Sequence, residues 1–205
     1  MEPVKIFQLL KEKIIKLELL PGSVLNLSEL AQSFNVSRTP VKEATIMLHT
    51  EGWILREGGR FTVTPLSLKL IKEITEIRSN IEIQANLWAM QRIDNEEIMA
   101  LDEWRQKVLG LEDGLSNKEM IELDIQFHRI LFFATKNIQL AMMLERLLGH
   151  YLRFWLSIPR KIEPAAFFSA TLEIIRAIED KDEALVLSLS EAHIKESIDT
   201  IMSSF

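Results

Sequence analysis

The 205-residue sequence contains no cysteine, and this absence removes several chemistries at once. Disulfide bonds, thiolate metal sites and thiol nucleophiles are all excluded, and the lack fits a reducing compartment. The sequence also lacks a run of roughly 18–20 uncharged apolar residues, which spanning a bilayer requires. Its start lacks the apolar core and small-residue cleavage site of a secretory signal peptide. We therefore expect a soluble, cytoplasmic protein with no membrane partner.

A net basic charge is missing as well. The 24 Lys and Arg residues are outnumbered by 30 Asp and Glu residues, so the formal net charge is −6. This balance argues against a protein that coats nucleic acid indiscriminately. The charge is uneven, because residues 1–65 carry eight basic and seven acidic side chains, whereas the remainder is net −7. A near-neutral head with local basic sites and an acidic body suits specific DNA binding by the head alone.

Periodicity in the first 65 residues predicts three helices and a β-hairpin. The helices are expected at about 4–17, from 26 or 28 to 34, and at 38–50, and the strands at 53–56 and 61–65. Leu20-Pro21-Gly22 is expected to end the first helix. This order predicts a winged helix-turn-helix, whose third helix fits the major groove and whose wing lies along phosphates or in the minor groove.

The start of the third helix has the features of a DNA-recognition helix. Ser37 is the expected N-cap, because its hydroxyl can accept a bond from amides of the first turn, and Pro40 costs little there. Arg38, Thr39 and Lys42 lie near the positive end of the helix dipole, where they face any bound anion. Taken alone, these residues fit a capped surface helix equally well. The surrounding helices and hairpin favour DNA recognition.

The head carries five motifs: Leu20-Pro21-Gly22, Leu30-Ala31, Val36 to Ala44, Glu51-Gly52-Trp53 and Gly59-Arg60. In these motifs it resembles the GntR family of bacterial transcription regulators. The resemblance implies that Arg38, Thr39 and Lys42 touch DNA, with Gly59 at the wing tip and Arg60 along the backbone or minor groove. The family commonly has Arg at the position of Lys42. Arg can contact a guanine with two hydrogen bonds from its planar guanidinium, whereas the Lys42 ammonium is a single point charge. Ser28 stands where some members carry a basic residue, and both departures predict a different or more weakly read operator.

From about Leu66 onward, every long segment has helical periodicity and no strand pattern occurs. The helices are predicted at about 67–92, 94–110, 116–136, 138–158, 165–180 and 181–203. The expected caps are Asp94, Ser116 and Asn137, and the expected breaks are Gly110, Gly114, Pro159 and Pro164. The predicted fold is therefore mainly α. It comprises a winged helix-turn-helix over residues 1–66 with a small β-hairpin wing, and an antiparallel helical bundle over residues 67–205.

The body carries a spaced set of residues: Glu76-Ile77-Arg78, Ile81-Glu82, Asp124, Phe127-His128-Arg129, Asn137, Ala177-Ile178, Asp182, Ala184 and His193. In these residues it resembles the FCD effector-binding domain of the FadR-type GntR subfamily, in its six-helix form. The resemblance implies a domain for effector binding and dimerisation. In many such domains one Asp and three His hold a metal ion, two of the His lying 22 residues apart, but the residue 22 before His193 here is Thr171. One expected ligand is therefore absent.

Asp124 and His128 are the strongest candidates for metal ligation. They lie four residues apart, so both project from one helix face, and His193 on the last helix can approach the same point. This mixed oxygen and nitrogen set suits Zn²⁺ or Ni²⁺, with solvent or an effector carboxylate completing the coordination. The alternative is an ordinary pair of Asp124 with His128 and a buried, satisfied His193.

Two further residues are predicted to contact an effector. The Arg that matches Arg78 in FCD domains often faces the effector cavity, where it can grip a carboxylate bidentately. The alternative is a surface Arg paired with Glu82. The hydroxyl of Thr171 can hydrogen-bond a bound water or ligand. The aromatic-rich segment 150–155 is more typical of core or dimer surface than of a ligand site.

Together these features predict a homodimeric transcription regulator, expected to act as a repressor. Two heads would bind double-stranded operator DNA, and a small organic acid in the body, with or without a metal anchor, would shift the DNA affinity. Catalysis is not expected, because no base or nucleophile pair accompanies the metal candidates. The alternatives are a metal-dependent enzyme on a helical bundle and a winged-helix protein-interaction module. The latter leaves Arg38, Lys42 and Arg60 poorly explained.

Overall fold

The computed structural model describes residues 1–111, 115–159 and 161–204. The chain divides into two units, the head (Met1–Ser67) and the body (from Leu68 onward). The helix break predicted at Gly114 lies outside the described residues. Within the described ranges, no helix is both long and apolar enough to cross a membrane.

The head combines three helices with a small antiparallel sheet. Its elements are α1 (Pro3–Ile15), β1 (Val24–Leu25), α2 (Leu27–Ser33), α3 (Arg38–Thr50), β2 (Ile54–Glu57) and β3 (Arg60–Val63). Strand β3 lies between β1 and β2, with Leu25 opposite Phe61 and Ile54 opposite Val63. Apolar side chains from all three helices and the sheet form one buried cluster beneath α3. This cluster fixes which face of α3 points outward.

The head confirms the winged helix-turn-helix and corrects three details. Strand β1 was not predicted, because two residues are too few to show alternation. The first helix ends at Ile15, before the expected stop at Leu20-Pro21-Gly22, and Leu17 follows with a left-handed φ of 55°. Ser37 does occupy the N-cap of α3, but its side chain makes no cap hydrogen bond. The proposed hydroxyl cap was therefore wrong.

The body is helical throughout the part that the structure describes. Its helices are α4 (Leu68–Arg92), α5 (Asn95–Leu109), α6 (Asn117–Ala134), α7 (Ile138–Ser157), α8 (Pro164–Glu179) and α9 (Glu183–Met202). The six predicted helices are thus confirmed to within a few residues. The caps predicted at Asp94, Ser116 and Asn137 are confirmed too, because each side chain accepts a bond from a first-turn amide.

The long helix α4 lies at the centre of the body and packs against α6, α7 and α9. Its buried face carries Arg78, Glu82 and Asn86, which recur every four residues among apolar neighbours. The amide nitrogen of Asn86 donates to Ser190 Oγ on α9 at 3.0 Å. A buried polar stripe of this kind needs partners from the surrounding helices. It therefore positions charged groups in the interior of the bundle.

Candidate functional site

The first turn of α3 presents the predicted DNA-contacting side chains to solvent. Arg38, Thr39 and Lys42 are exposed, whereas Val41 and Ala44 are fully buried in the head core. Pro40 is the third residue of the helix, so it lacks only an amide hydrogen that would have no partner within the helix. Free amides and two cationic side chains thus face the same side, which suits an anionic partner.

The wing tip is built from two glycines in left-handed conformations. Gly58 has a φ of 53° and Gly59 a φ of 84°, and apart from each glycine and its two chain neighbours no described heavy atom lies within 4 Å of the position where a Cβ would be. The glycines are therefore required by the turn rather than by crowding. Arg60 is exposed beside this tip. Sequence reasoning passed over Arg56, which is exposed on β2 with its guanidinium carbon 5.7 Å from the Phe61 ring centroid.

The body contains a cavity of ≈ 300 Å³. Arg78, Asp124 and His128 line one end of it and are themselves buried. The exposed residues of its lining are Lys161, Glu163, Ala166 and Glu196, and the remaining wall consists of Leu148, Tyr151, Leu152, Trp155, Ile162, Phe167, Ala170, His193, Ser197 and Thr200. The cavity therefore joins a buried charged end to a largely apolar wall.

Arg78 and Glu82 form a buried bidentate ion pair. Arg78 Nε donates to Glu82 Oε2 at 2.6 Å and Nη2 donates to Oε1 at 2.9 Å. The guanidinium carbon also lies 4.3 Å from the Tyr151 ring centroid, a cation–π distance. The predicted partner of Arg78 is thus present, but the pair lies in the interior and not on the surface. Arg78 lines the cavity, and its contact with an effector stays a prediction.

The two charges of this pair stabilise each other. Burial alone would raise the pKa of Glu82, but the Arg78 charge, the His128 ring and the hydrogen bonds from Arg78 bring it down to about 2. Burial likewise acts to lower the pKa of Arg78, and the Glu82 carboxylate outweighs it, so the pKa is raised above its usual value. Both groups therefore stay charged near neutral pH.

His128 lies between two carboxylates. Its Nδ1 is 3.5 Å from Glu82 Oε1, and its Nε2 is 3.7 Å from Asp124 Oδ1. The ring of His193 lies close by, with its centroid 5.8 Å from that of His128. The structure thus brings His128 and His193 together with Glu82 and places Asp124 beside the second nitrogen of His128. Among the described residues, Asp124 is not in the group whose ligand atoms all lie within 4.8 Å of one another. Sequence reasoning missed Glu82 as a neighbour of His128, because its position four residues after Arg78 predicts only the pairing with Arg78.

Burial governs the protonation of this cluster. It lowers the pKa of His128 to about 3 and that of His193 to about 4, so both rings are neutral at pH 7. Burial also raises the pKa of Asp124 to about 7, against the opposing charge of Arg78. Neutral imidazole is the form that ligates metal ions. Two such rings and a carboxylate make a donor set that fits Zn²⁺ or Ni²⁺.

Either of two carboxylates, Glu82 or Asp124, could complete the ligand set with His128 and His193. Glu82, His128 and His193 each offer a ligand atom, and these atoms lie within 4.8 Å of one another. Asp124, in contrast, lines the cavity together with both histidines, and Glu82 is not among the described lining residues. Both oxygens of Glu82 already accept hydrogen bonds from Arg78.

Thr171 is fully buried in α8, and its hydroxyl donates to the Phe168 carbonyl at 2.8 Å. Among the residues that the structure describes, the cavity lining does not include it. This local bond satisfies the hydroxyl without help from a ligand. The predicted contact between Thr171 and an effector therefore stays a prediction.

The aromatic segment of α7 contributes more than core. Tyr151 Oη donates to Ser197 Oγ at 2.9 Å, and Trp155 Nε1 donates to the same oxygen at 3.0 Å. Trp155 also meets Phe167 edge to face, with ring centroids 5.0 Å apart at 85°. Tyr151 and Trp155 are buried and also line the cavity. The burial of this segment agrees with the preference for core, and a contact of Tyr151 or Trp155 with a ligand stays open.

Comparison with known proteins agrees with both units. The model of the bacterial regulatory proteins of the gntR family matches residues 4–63, and that of the FCD domain matches residues 73–196. The HTH-type transcriptional regulator YdhC of Bacillus subtilis (strain 168) is 31% identical over 155 residues, covering 73% of this chain and 69% of that protein.

A second relative covers more of the chain. The Nta operon transcriptional regulator of Aminobacter aminovorans is 30% identical over 190 residues, covering 89% of this chain and 86% of that protein. The solved structure of Escherichia coli McbR/YncC superposes with a TM-score of 0.86 at 20% identity, covering 98% of this chain and 97% of that chain. The structural likeness shows a shared fold.

Proposed function

Because the chain belongs to the gntR family of bacterial transcription regulators and carries an FCD domain, we propose that its head reads one operator half-site under the control of an acidic effector in the body. The exposed cationic start of α3, backed by a packed winged-helix core, carries this proposal. Two heads of a homodimer would read the two halves of a pseudo-palindromic operator. Repression is the proposed direction, because a dimer seated on both half-sites excludes other proteins from that DNA.

Each predicted contact has a distinct role. Arg38 and Thr39 lie at the first two positions of α3, from which they reach base edges in the major groove. Lys42 follows about one turn later and offers a single charged prong to a guanine or phosphate. Gly59 lets the wing backbone approach a phosphate closely, and Arg60 neutralises backbone charge.

Substitution of Arg38 by Ala tests the recognition surface. The operator is first selected from random DNA with the wild-type protein, and binding is then measured by gel-shift titration at one salt concentration. If Arg38 reads a base, its removal should cost about 1–3 kcal/mol, or about 5- to 150-fold in Kd. Lys195→Ala, which removes an exposed cation from the body, should leave binding unchanged. Equal binding by both variants would remove Arg38 from the recognition set, and failure to select any DNA would favour a protein-interaction module.

In the body, we assign Asp124, His128 and His193 as the residues that would hold a divalent cation. When bound, Zn²⁺ or Ni²⁺ would supply a Lewis-acid anchor for a carboxylate. Asp124 is preferred to Glu82 because it lines the cavity and lacks a bidentate partner among the described residues. Glu82 then acts on His128 from outside the ligand set. With the Nδ1 proton facing Glu82, the Nε2 lone pair is left beside Asp124.

Regulation requires that the effector bind more tightly to one DNA-binding state of the dimer than to the other. Arg78 supports an acidic effector, because it is a buried cation at the cavity wall. Its bond to Glu82 uses Nε and Nη2 and leaves the remaining N–H groups for other acceptors. Thr171 stays a predicted effector contact, and placement in the FadR-type subfamily also stays a prediction.

The metal assignment is tested by elemental mass spectrometry of the purified protein. We expect about one divalent ion per chain in the wild type and a loss of that ion in His128→Ala, because one of a few ligands is removed. His49→Ala is the matched control, since His49 is exposed on α3 in the head. If the wild-type protein contains no metal and cannot be loaded with Zn²⁺ or Ni²⁺, the metal assignment is wrong. Arg78 would then be the buried cation that binds the effector carboxylate.

A further inference from the structure

The polar groups of the aromatic wall of the cavity are already hydrogen-bonded to one another. Ser197 Oγ accepts one hydrogen bond from Tyr151 Oη and another from Trp155 Nε1. Of these three groups, only the Ser197 hydroxyl still has a proton to donate elsewhere. Trp155 also holds Phe167 edge to face. A ligand that lies along this wall therefore meets mostly carbon, and a hydroxyl group placed against Trp155 or Phe167 loses its water without gaining a partner.

The cavity offers one buried cationic site for an anionic group. Among the described lining residues, Arg78 is the only buried cation; Glu82 accepts from its Nε and Nη2, and the remaining N–H groups can serve one carboxylate. At the exposed end, Lys161 is accompanied by Glu163 and Glu196. A second carboxylate on the ligand would lie either on the apolar wall without a partner or beside these acidic side chains. Both positions are unfavourable for an anion.

The size of the cavity limits the ligand further. Its volume of ≈ 300 Å³ lies at the small end of the range for ligand-binding pockets. There is room for one ring or a short branched chain beside the carboxylate.

We propose that the effector is a monocarboxylic acid with a small apolar body, aromatic or branched aliphatic. Its carboxylate lies at the end lined by Arg78, Asp124 and His128, and its body packs against Trp155 and Phe167. The inference rests on the proposed acid-binding function of the body and names the class of acid. The apolar wall disfavours polyhydroxylated acids, and the single buried cation among the described lining residues disfavours dicarboxylates.

Isothermal titration of the full-length protein with four matched probes tests this class. Phenylacetate is the parent compound, mandelate adds a hydroxyl, 4-carboxyphenylacetate adds a second carboxylate, and phenylacetamide removes the charge. Each is titrated once with added Zn²⁺ and once with EDTA, so that a metal requirement is seen separately. Phenylacetate should bind at least about tenfold more tightly than each of the other three probes.

Two substitutions at Trp155 locate the binding site. Trp155→Ala should weaken phenylacetate binding about tenfold or more by removing the wall. Trp155→Phe keeps an aromatic ring, so the affinity for phenylacetate should be retained. It also frees an acceptor position on Ser197, so the difference in affinity between phenylacetate and mandelate should become smaller. Trp88→Ala, at a half-buried position outside the described lining, should change neither affinity.

The outcomes separate this inference from the proposed function. Binding of mandelate or 4-carboxyphenylacetate as tight as that of phenylacetate would overturn the apolar monocarboxylate and leave an acid effector standing. The same holds if succinate or gluconate, added as further probes, binds more tightly. If no acid binds with Zn²⁺ or with EDTA, the proposed acid-binding function of the body itself fails.

Discussion

The head and the body place their functional side chains in opposite surroundings. In the head, the basic residues of α3 and the wing are exposed on an apolar core. In the body, Arg78, Glu82, Asp124 and His128 are all buried and lie within a few ångströms of one another. Exposed charges act nearly independently, because water screens them. Buried charges set one another's protonation, so one substitution changes several groups at once.

The largest expected difference between the regions lies in a pair of matched ion pairs on α4. Arg78 and Lys69 each have a glutamate four residues later, but Arg78–Glu82 is buried at 2.6 Å and Lys69–Glu73 is exposed at 3.7 Å. Arg78→Met should lower the free energy of unfolding by about 3–5 kcal/mol, because Glu82 is left buried without its partner. Lys69→Met should leave it nearly unchanged.

Urea unfolding of EDTA-treated protein measures both effects. The double variant Arg78→Met/Glu82→Leu is a useful addition, since it replaces the pair with apolar groups and should recover much of the loss. Similar small losses in both single variants would mean that the buried pair is no more coupled than the surface pair.

A smaller effect is expected at the wing, where Arg60 is exposed. Arg60→Ala should weaken binding about equally for all DNA sequences and reduce the slope of log Kd against log salt by about 1, because one phosphate is no longer neutralised. Arg60→Lys keeps the charge and should keep the slope. Fluorescence anisotropy over a salt series gives these slopes, and an unaltered slope in Arg60→Ala would argue that the wing does not reach the backbone.

The smallest effects concern helix caps. Asn137 Oδ1 accepts a bond from the Leu140 amide at 3.2 Å, so Asn137→Ala should cost about 1 kcal/mol of stability. Ser37→Ala should cost less, because the Ser37 side chain makes no cap bond. Thermal unfolding monitored by circular dichroism compares the two. An equal cost would indicate that the Ser37 hydroxyl does close its cap in solution.

Local pattern was enough to predict most elements of the fold. The body helices and the caps at Asp94, Ser116 and Asn137 follow from periodicity and capping chemistry within a few residues of chain. The exposed start of α3 follows for the same reason, because a helix with one apolar face must turn its other face to solvent. Strand β1 was missed because its pairing with β3 joins segments far apart in sequence.

The sequence by itself determined the two-unit organisation, the exposed cationic start of α3, the glycine wing and the placement of Asp124 and His128 on one helix face. Only the tertiary structure decided that Glu82 reaches the other nitrogen of His128, that Thr171 turns its hydroxyl into its own helix, and that Tyr151 and Trp155 line a cavity. The physical reason is range. Helix and turn signals act over about four residues, whereas a buried cluster is assembled from several helices whose approach depends on packing of the whole bundle.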